Sequence, residues 1–228
     1  MKILHLSATN IMATPDGKAE FERRLATLNT IASAGTQVDM WPNETGPLSI
    51  ETDEDHARAV PGLLENAKKV RGYDAVTIGC FGDPGLEEIR RIVPVPVLGP
   101  GIAAYHAASL ISSRFAVLSP VAETLEHARR HAARFGLDRK LVSVRSLDIP
   151  VLTIRQDRER AVRAAVALAR ACAEQDGAEA IVLGCMSMAF QRLDIEIGRE
   201  VTVPVINPLI PLVRFAESLA LGRLGPVP

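Results

Sequence analysis

Aromatic residues make up only 4% of this chain, and cysteine occurs three times in 228 residues. With so few rings, the core must be built from Ala, Val, Leu and Ile, which a hydrophobic content of 47% supplies. Three cysteines, an odd number without a framework of spacings, exclude a disulfide scaffold and fit a reducing compartment. No apolar run approaches the roughly 18 residues of a membrane-spanning helix. The start, Met1-Lys2-Ile3-Leu4-His5-Leu6, is too short for the apolar region of a signal peptide and reads as a first strand. A net charge of -1, spread along the chain, leaves no basic footprint for nucleic acid or a membrane surface. Neither Gly-x-x-x-x-Gly-Lys-Ser/Thr nor Gly-x-Gly-x-x-Gly occurs, so nucleotide binding has no support. The cysteines lack metal-ligand spacing to one another or to histidine. These absences predict a cytoplasmic protein acting on a small molecule, with no metal or organic cofactor.

What the chain does contain is one motif written twice. Asp74-Ala-Val-Thr-Ile-Gly-Cys80 recurs about half the chain later as Glu179-Ala-Ile-Val-Leu-Gly-Cys185. Val95-Pro96-Val97-Leu98-Gly99-Pro100 returns as Val203-Pro204-Val205-Ile206-Asn207-Pro208. Short Val- and Ile-rich runs at 3–6, 38–41, 75–78, 95–98, 115–118, 142–147, 180–183 and 203–206 read as parallel strands buried on both faces. Helical periodicity lies between them: Phe21, Leu25, Leu28 and Ala32; Leu125, Ala128, Ala132 and Phe135; Val162, Val166, Ala169 and Ala173. A last pattern joins Ile210, Val213, Ala216 and Leu219. The alternation predicts an α/β protein of two pseudo-symmetric lobes, each with a four-stranded mainly parallel sheet flanked by helices. If the helices after the fourth strands exchange lobes, one lobe comprises residues 1–98 plus 208–228 and the other 99–207. The tail Gly225-Pro-Val-Pro228 is expected to fray.

In open α/β sheets, ligands bind beyond the carboxyl ends of the strands, where Cys80 and Cys185 fall. The sequence predicts Asp83 as the N-cap and Pro84 as the first residue of a helix after Cys80, with Ser187 capping a helix after Cys185. A thiol beside a helix N-terminus is stabilised as thiolate. Cys172 has no repeat partner and lies at helical spacing with Ala161, Ala165 and Leu168, so it reads as core. His127 and His131 are four apart on a helix without the metalloprotease Glu and beside Arg130 and Arg134, which reads as a solvated face. Asp53-Glu54-Asp55-His56 reads as the acidic start of a helix rather than a cation site.

Cys80-Phe81-Gly82-Asp83-Pro84-Gly85-Leu86 and Leu183-Gly184-Cys185-Met186-Ser187-Met188 resemble the two cysteine motifs of the aspartate/glutamate/hydantoin racemase superfamily, most closely its hydantoin (allantoin) racemase branch. Residues 46–51, 59–63 and 105–109 are similar to that branch as well. The first loop departs from it, with Ser7-Ala8-Thr9-Asn10 where Asn-Pro-Asn-Thr/Ser is common. Ser119-Pro120 stands where Thr-Thr is usual.

The resemblance implies two α/β lobes with the active site in the interlobe cleft, a cofactor-independent racemisation, and Cys80 and Cys185 as acid and base. It implies homo-oligomerisation by analogy. One thiolate would take the proton from a carbon beside a carbonyl and the other thiol would protonate the opposite face. Backbone N–H groups at Phe81, Gly82, Met186 and Ser187, with the side chains of Ser7, Asn10, Ser119 and Ser187, would bind the substrate and stabilise the oxyanion. Other readings stay open: amino-acid racemisation, cis-trans isomerisation of an unsaturated diacid, decarboxylation, or a two-lobed binding protein without chemistry.

Overall fold

Each Val- and Ile-rich run forms a strand in the computed structural model, which describes residues 1–225. The strands are β1 (Lys2–Leu6), β2 (Gln37–Trp41), β3 (Ala75–Ile78), β4 (Val97–Leu98), β5 (Phe115–Ser119), β6 (Leu141–Ser146), β7 (Ala180–Leu183) and β8 (Val205–Ile206). They make two four-stranded sheets of the same order, β2-β1-β3-β4 and β6-β5-β7-β8, in which every pairing is parallel. β3, β5 and β7 are buried along their whole length, as parallel strands covered on both faces must be. β4 and β8 are shorter than the sequence predicts. Pro96 and Pro204, which precede them, have no N–H for the ladder and contribute only carbonyls, accepting from Val76 and Ile181 at 2.9 Å each.

The helices are α1 (Gly17–Ile31), α2 (Asp53–Ala67), α3 (Leu86–Ile92), α4 (Pro100–Ile111), α5 (Leu125–Arg134), α6 (Val151–Gln156), α7 (Arg158–Glu174), α8 (Met186–Phe190), α9 (Leu193–Glu200) and α10 (Leu209–Leu221). The acidic run at Asp53 begins α2. The Ala-rich α7 buries Ala161, Ala165, Ala169 and Cys172 against the second sheet. Its Val162 and Val166 are only partly buried, because the three alanines and Cys172 let the helix approach the sheet along the neighbouring face. On α10, Val213 and Ala216 are buried as the pattern predicts, while Ile210 is exposed and Leu209 and Leu212 are in the core instead.

The chain divides into two compact units. The first comprises Met1–Ile50, Glu54–Pro100 and the residues from Leu209 onward; the second comprises Glu51–Asp53 and Gly101–Pro208. In the first, Glu217 of α10 is buried and accepts from the backbone N–H and hydroxyl of Ser33, just after α1, at 2.7 and 2.8 Å. In the second, Tyr105 of α4 stacks on Phe115 and donates its hydroxyl to the Ala128 carbonyl of α5 at 3.2 Å. Glu51 and Asp53 belong to the second unit by their side chains. Glu51 accepts from the Val151 N–H at the start of α6 at 2.9 Å, and Asp53 pairs with His127 and Arg130 of α5. Of the tail expected to fray, residues 226–228 lie outside the described residues.

Candidate active site

The glycine before each cysteine has a steric reason. Gly79 donates its N–H to the Leu6 carbonyl of β1 at 2.8 Å, and Gly184 donates to the Leu118 carbonyl of β5 at 2.7 Å. A Cβ on Gly79 would lie 2.9 Å from His5 Nε2 and 3.0 Å from the Leu6 oxygen. On Gly184 it would lie 2.6 Å from Val117 Cγ1 and 2.7 Å from the Leu118 oxygen. The central strand of each unit therefore presses its end against the next strand's backbone, and only glycine permits this approach. The following residue, cysteine, emerges at the carboxyl edge of the sheet.

Gly184→Ala is accordingly expected to destabilise the chain by about 1–3 kcal/mol through backbone displacement, with Tm falling about 2–4 °C per kcal/mol. Gly198→Ala provides the control, since a Cβ there meets nothing within 4 Å in the middle of α9. It should stabilise by about 0.5–1 kcal/mol. Thermal unfolding of both variants checks the contrast.

Cys80 is half-buried and begins a tight turn rather than a helix. The Asp83 N–H donates to the Cys80 carbonyl at 3.0 Å, and α3 starts only at Leu86, with Gly85 at its N-cap in the left-handed conformation (φ 69°). The expectation that Asp83 caps a helix starting at Pro84 is therefore corrected. Asp83 itself is left-handed (φ 53°), which costs on the order of 1 kcal/mol in a residue with a Cβ. Its buried carboxylate occupies the space over Gly99, where a Cβ would lie 2.2 Å from Asp83 Cγ. Gly99 is thus small so that Asp83 can turn inward. Phe81 is buried beside the cysteine, and Gly82 is half-buried, its carbonyl accepting from His56 Nε2 at 2.8 Å.

Cys185 is buried and is itself the residue preceding α8, in extended conformation (φ −149°, ψ 133°), with no side-chain capping bond. Ser187, predicted as the cap, lies within α8, buried with Met186. The backbone leaves β7 and coils directly after the cysteine, so the cap falls two residues earlier than a Ser-based signature suggests.

Each unit brings a serine to the same sheet edge as its cysteine. Ser7 follows β1 and ends β1's pairing with β2 by donating its N–H to the Trp41 carbonyl at 2.9 Å; its buried hydroxyl donates to the Thr9 carbonyl at 3.0 Å. Ser119 ends β5, and its buried hydroxyl lies 2.6 Å from the Thr124 hydroxyl. Asn10 has a holding role within this loop: its amide donates to the Glu44 carbonyl at 2.7 Å, tying the loop after β1 to the loop after β2.

The second tie is Asn43, fully buried, whose amide donates to the carbonyls of Ala8 (3.1 Å) and Ala59 (2.9 Å). A Cβ on Gly46 or Gly62 would collide with the Asn43 side chain, at 2.7 and 1.9 Å. Both glycines fall in the segments whose resemblance to the hydantoin branch was noted above. Their sequence gives no sign that they serve a buried amide.

The two cysteine environments differ at one structurally equivalent pair. In the first unit His5 of β1 stands opposite Thr77 of β3, its Nδ1 2.9 Å from the Thr77 hydroxyl. In the second unit the matching pair is Val117 and Val182. His5 is wholly buried, and burial, with Arg24 adding to it, lowers its pKa from 6.5 to about 3. A neutral imidazole therefore packs against the backbone preceding Cys80, where an isopropyl group packs before Cys185.

Cys172 is buried in α7, 3.8 Å from the Ser143 hydroxyl, and burial raises its thiol pKa. His131 corrects the solvated-face reading. It is buried, with ring centroids 5.5 Å from Tyr105 and 5.2 Å from Phe135, because the apolar stripe of Ala128 and Ala132 turns that side of α5 inward. Arg130 stays exposed and pairs with Asp53. Among the described residues, no group of three or more His, Cys, Asp or Glu side chains is arranged to hold a metal ion, and no helix is long and apolar enough to cross a membrane.

The architecture and motifs agree with comparisons to known proteins. The family model described as Asp/Glu/Hydantoin racemase matches residues 13–216. The chain belongs to the Asp/Glu/hydantoin racemase family. It is thus an enzyme of the racemase type, an isomerase. A hydantoin racemase of Rhizobium meliloti is 38% identical over 182 residues, which cover 78% of this chain and 73% of the relative. One from Paenarthrobacter aurescens is 32% identical, covering 97% of this chain and 92% of the relative. Among solved structures, an allantoin racemase from Klebsiella pneumoniae superposes with a TM-score of 0.90 at 30% identity, over 99% of this chain and 89% of the other. Cys80 and Cys185 both lie within the matched segment.

Proposed function

We propose that this racemase inverts the stereocentre of a 5-monosubstituted hydantoin or an allantoin-like ring by passing a proton between two thiols, with Cys80 and Cys185 as the pair. The observation that supports this reading most is that both sheets, identical in strand order, end their central strand in Gly-Cys, with a buried serine on the adjacent strand end. Relatives named as hydantoin and allantoin racemases support the substrate class.

In the proposed reaction one cysteine, as thiolate, removes the proton from the ring carbon. The C–H bonding electrons pass into the adjacent carbonyl, giving a planar enolate. The other cysteine, as thiol, then protonates the opposite face and becomes the thiolate. The enzyme finishes with the proton on the first cysteine, ready for the other enantiomer. No electron is gained or lost and no co-reactant is consumed. A thiol is suited to both roles because its ordinary pKa, about 8.5, is within reach of neutrality. Backbone N–H groups at Phe81, Gly82, Met186 and Ser187 and the hydroxyls of Ser7 and Ser119 are proposed to meet the enolate oxygen and the ring. Asn10 is proposed to shape the same loop.

The chain's own residues are proposed to suffice without cofactor, in a cytoplasmic homo-oligomer that binds neither nucleic acid nor membrane. Three cysteines, none of them in a disulfide, and the absence of a basic footprint support the location and the exclusions. Polarimetry on single enantiomers of a 5-monosubstituted hydantoin and of allantoin tests the function. Decay of rotation to zero from either enantiomer, with solvent deuterium entering the stereocentre by NMR, is expected. Inertness on both rings together with turnover of an amino acid or a malonate would replace the substrate assignment.

A further inference from the structure

The turn after Cys80 is held by a residue from another helix. The Gly82–Asp83 peptide is fixed at both ends: its N–H donates to the Cys80 carbonyl at 3.0 Å, and its carbonyl accepts from His56 Nε2 of α2 at 2.8 Å. A carbonyl can only accept, so His56 carries its proton on Nε2 in this contact. The turn also contains a left-handed, buried Asp83, a conformation that persists only where surrounding contacts impose it. A side chain at the first position of such a turn is placed to accept from the N–H two residues on, as Asx turns do. In this turn those groups are the Cys80 sulfur and the Gly82 N–H.

We propose that His56 is a positioning residue for Cys80: its hydrogen bond to the Gly82 carbonyl locks the turn in the conformation that presents the Gly82 N–H to the Cys80 thiolate. The inference rests on the reading of Cys80 as an acid–base group. It concerns Cys80 alone. Cys185 leads directly into α8, and the tether nearest along that segment is the Asn207 amide, which donates to the Ala189 carbonyl within the helix at 2.9 Å. The charged groups closest in the chain to the His56 contact are Glu54, Asp55 and Arg58 on α2, the last two paired at 3.3 Å, Asp83 in the turn, and Glu87, Glu88 and Arg90 on α3, with Glu87 and Arg90 paired at 3.0 Å. His56→Gln keeps a donor at the Nε2 position and does not titrate, whereas His56→Ala removes it.

The test is the pH profile of iodoacetamide alkylation, read separately at Cys80 and Cys185 by peptide mass spectrometry on the whole chain. His56→Ala should raise the Cys80 midpoint by about one pH unit, the effect of losing one hydrogen bond to a charged group. His56→Gln should restore it, and the Cys185 midpoint should stay at its wild-type value in both variants. An unmoved Cys80 midpoint, equal shifts at both cysteines, or no rescue by glutamine would overturn the proposal. Should His56→Ala not fold, imidazole ¹H–¹⁵N spectra of the wild type decide: the Nε2–H tautomer at neutral pH is expected, and the Nδ1–H tautomer would overturn it. Loss of hydantoin turnover as an activity, with the midpoint shift intact, would defeat the proposed function and leave the positioning role standing. Thiol-dependent racemisation with an unmoved midpoint would do the reverse.

Discussion

Replacement of Cys80 or of Cys185 by serine is expected to lower racemisation by about two to four orders of magnitude, in both directions of the reaction. Serine preserves the shape of the side chain, but its hydroxyl stays protonated far above neutrality and can neither abstract the ring proton nor return to that state after donating one. Because each turnover uses both groups, each variant alone should lose the full inversion. Proton exchange separates the two roles. The thiolate remaining in a single variant can still remove and return a proton on its own face, so each variant should exchange solvent deuterium into one enantiomer only, and the two variants should prefer opposite enantiomers. Cys172→Ser should racemise at the wild-type rate, since that thiol is buried in α7 and, at most, its hydroxyl lowers stability. Polarimetry reads the inversion and NMR the exchange. Wild-type racemisation in either the Cys80 or the Cys185 variant rules out a two-thiol relay.

The parts of this molecule that follow from local pattern were legible in the sequence. Eight strands could be read because parallel strands buried on both faces require unbroken Val and Ile runs, and the doubled Gly-Cys motif marked equivalent strand ends. The prolines at 96 and 204 shortened two strands, an effect visible only once ladder hydrogen bonds are counted. What escaped the sequence depends on contacts far apart in the chain. Asp83 and Pro84 have the composition of a helix start, yet the space over Gly99 draws the Asp83 carboxylate inward and delays the helix to Leu86. His131 looks solvated beside two arginines, but it shares a buried helix face with Ala128 and Ala132, and its ring packs on Tyr105 and Phe135. Asn43 and Thr124 belong to no motif, and His56 was legible only within the acidic helix start, because each acts through a backbone carbonyl or hydroxyl contributed by a different element or a later turn. His5 had a signal that a register comparison of the two halves exposes: it takes the place held by Val117.

That substitution carries the second large expected effect, on stability rather than turnover. In the folded chain burial holds His5 neutral, with its pKa lowered from 6.5 to about 3. In the unfolded chain it binds a proton once the pH falls below its ordinary value. Between those two pH values the unfolded state holds one more proton than the native state, so stability rises with pH. Acidification from 6.5 toward 3 should therefore destabilise the protein by about 1.4 kcal/mol per pH unit from this residue alone. His106, whose pKa burial also lowers, adds to the slope in the same direction. The carboxylates held below their usual range, Glu20, Asp53, Glu65, Asp176 and Glu217, add theirs only at lower pH.

The paired variant His5→Val with Thr77→Val copies the second unit's arrangement and avoids leaving the Thr77 hydroxyl buried without its imidazole partner. Urea unfolding of wild type and variant at several pH values between 6.5 and 4.5 isolates the difference, since His106 and the carboxylates are common to both. The wild type should lose about 2 kcal/mol more than the variant across that interval, since the unfolded His5 is already half protonated at pH 6.5. Parallel stability curves would mean that His5 keeps its proton on folding, and so cannot be the neutral group that packs behind Cys80.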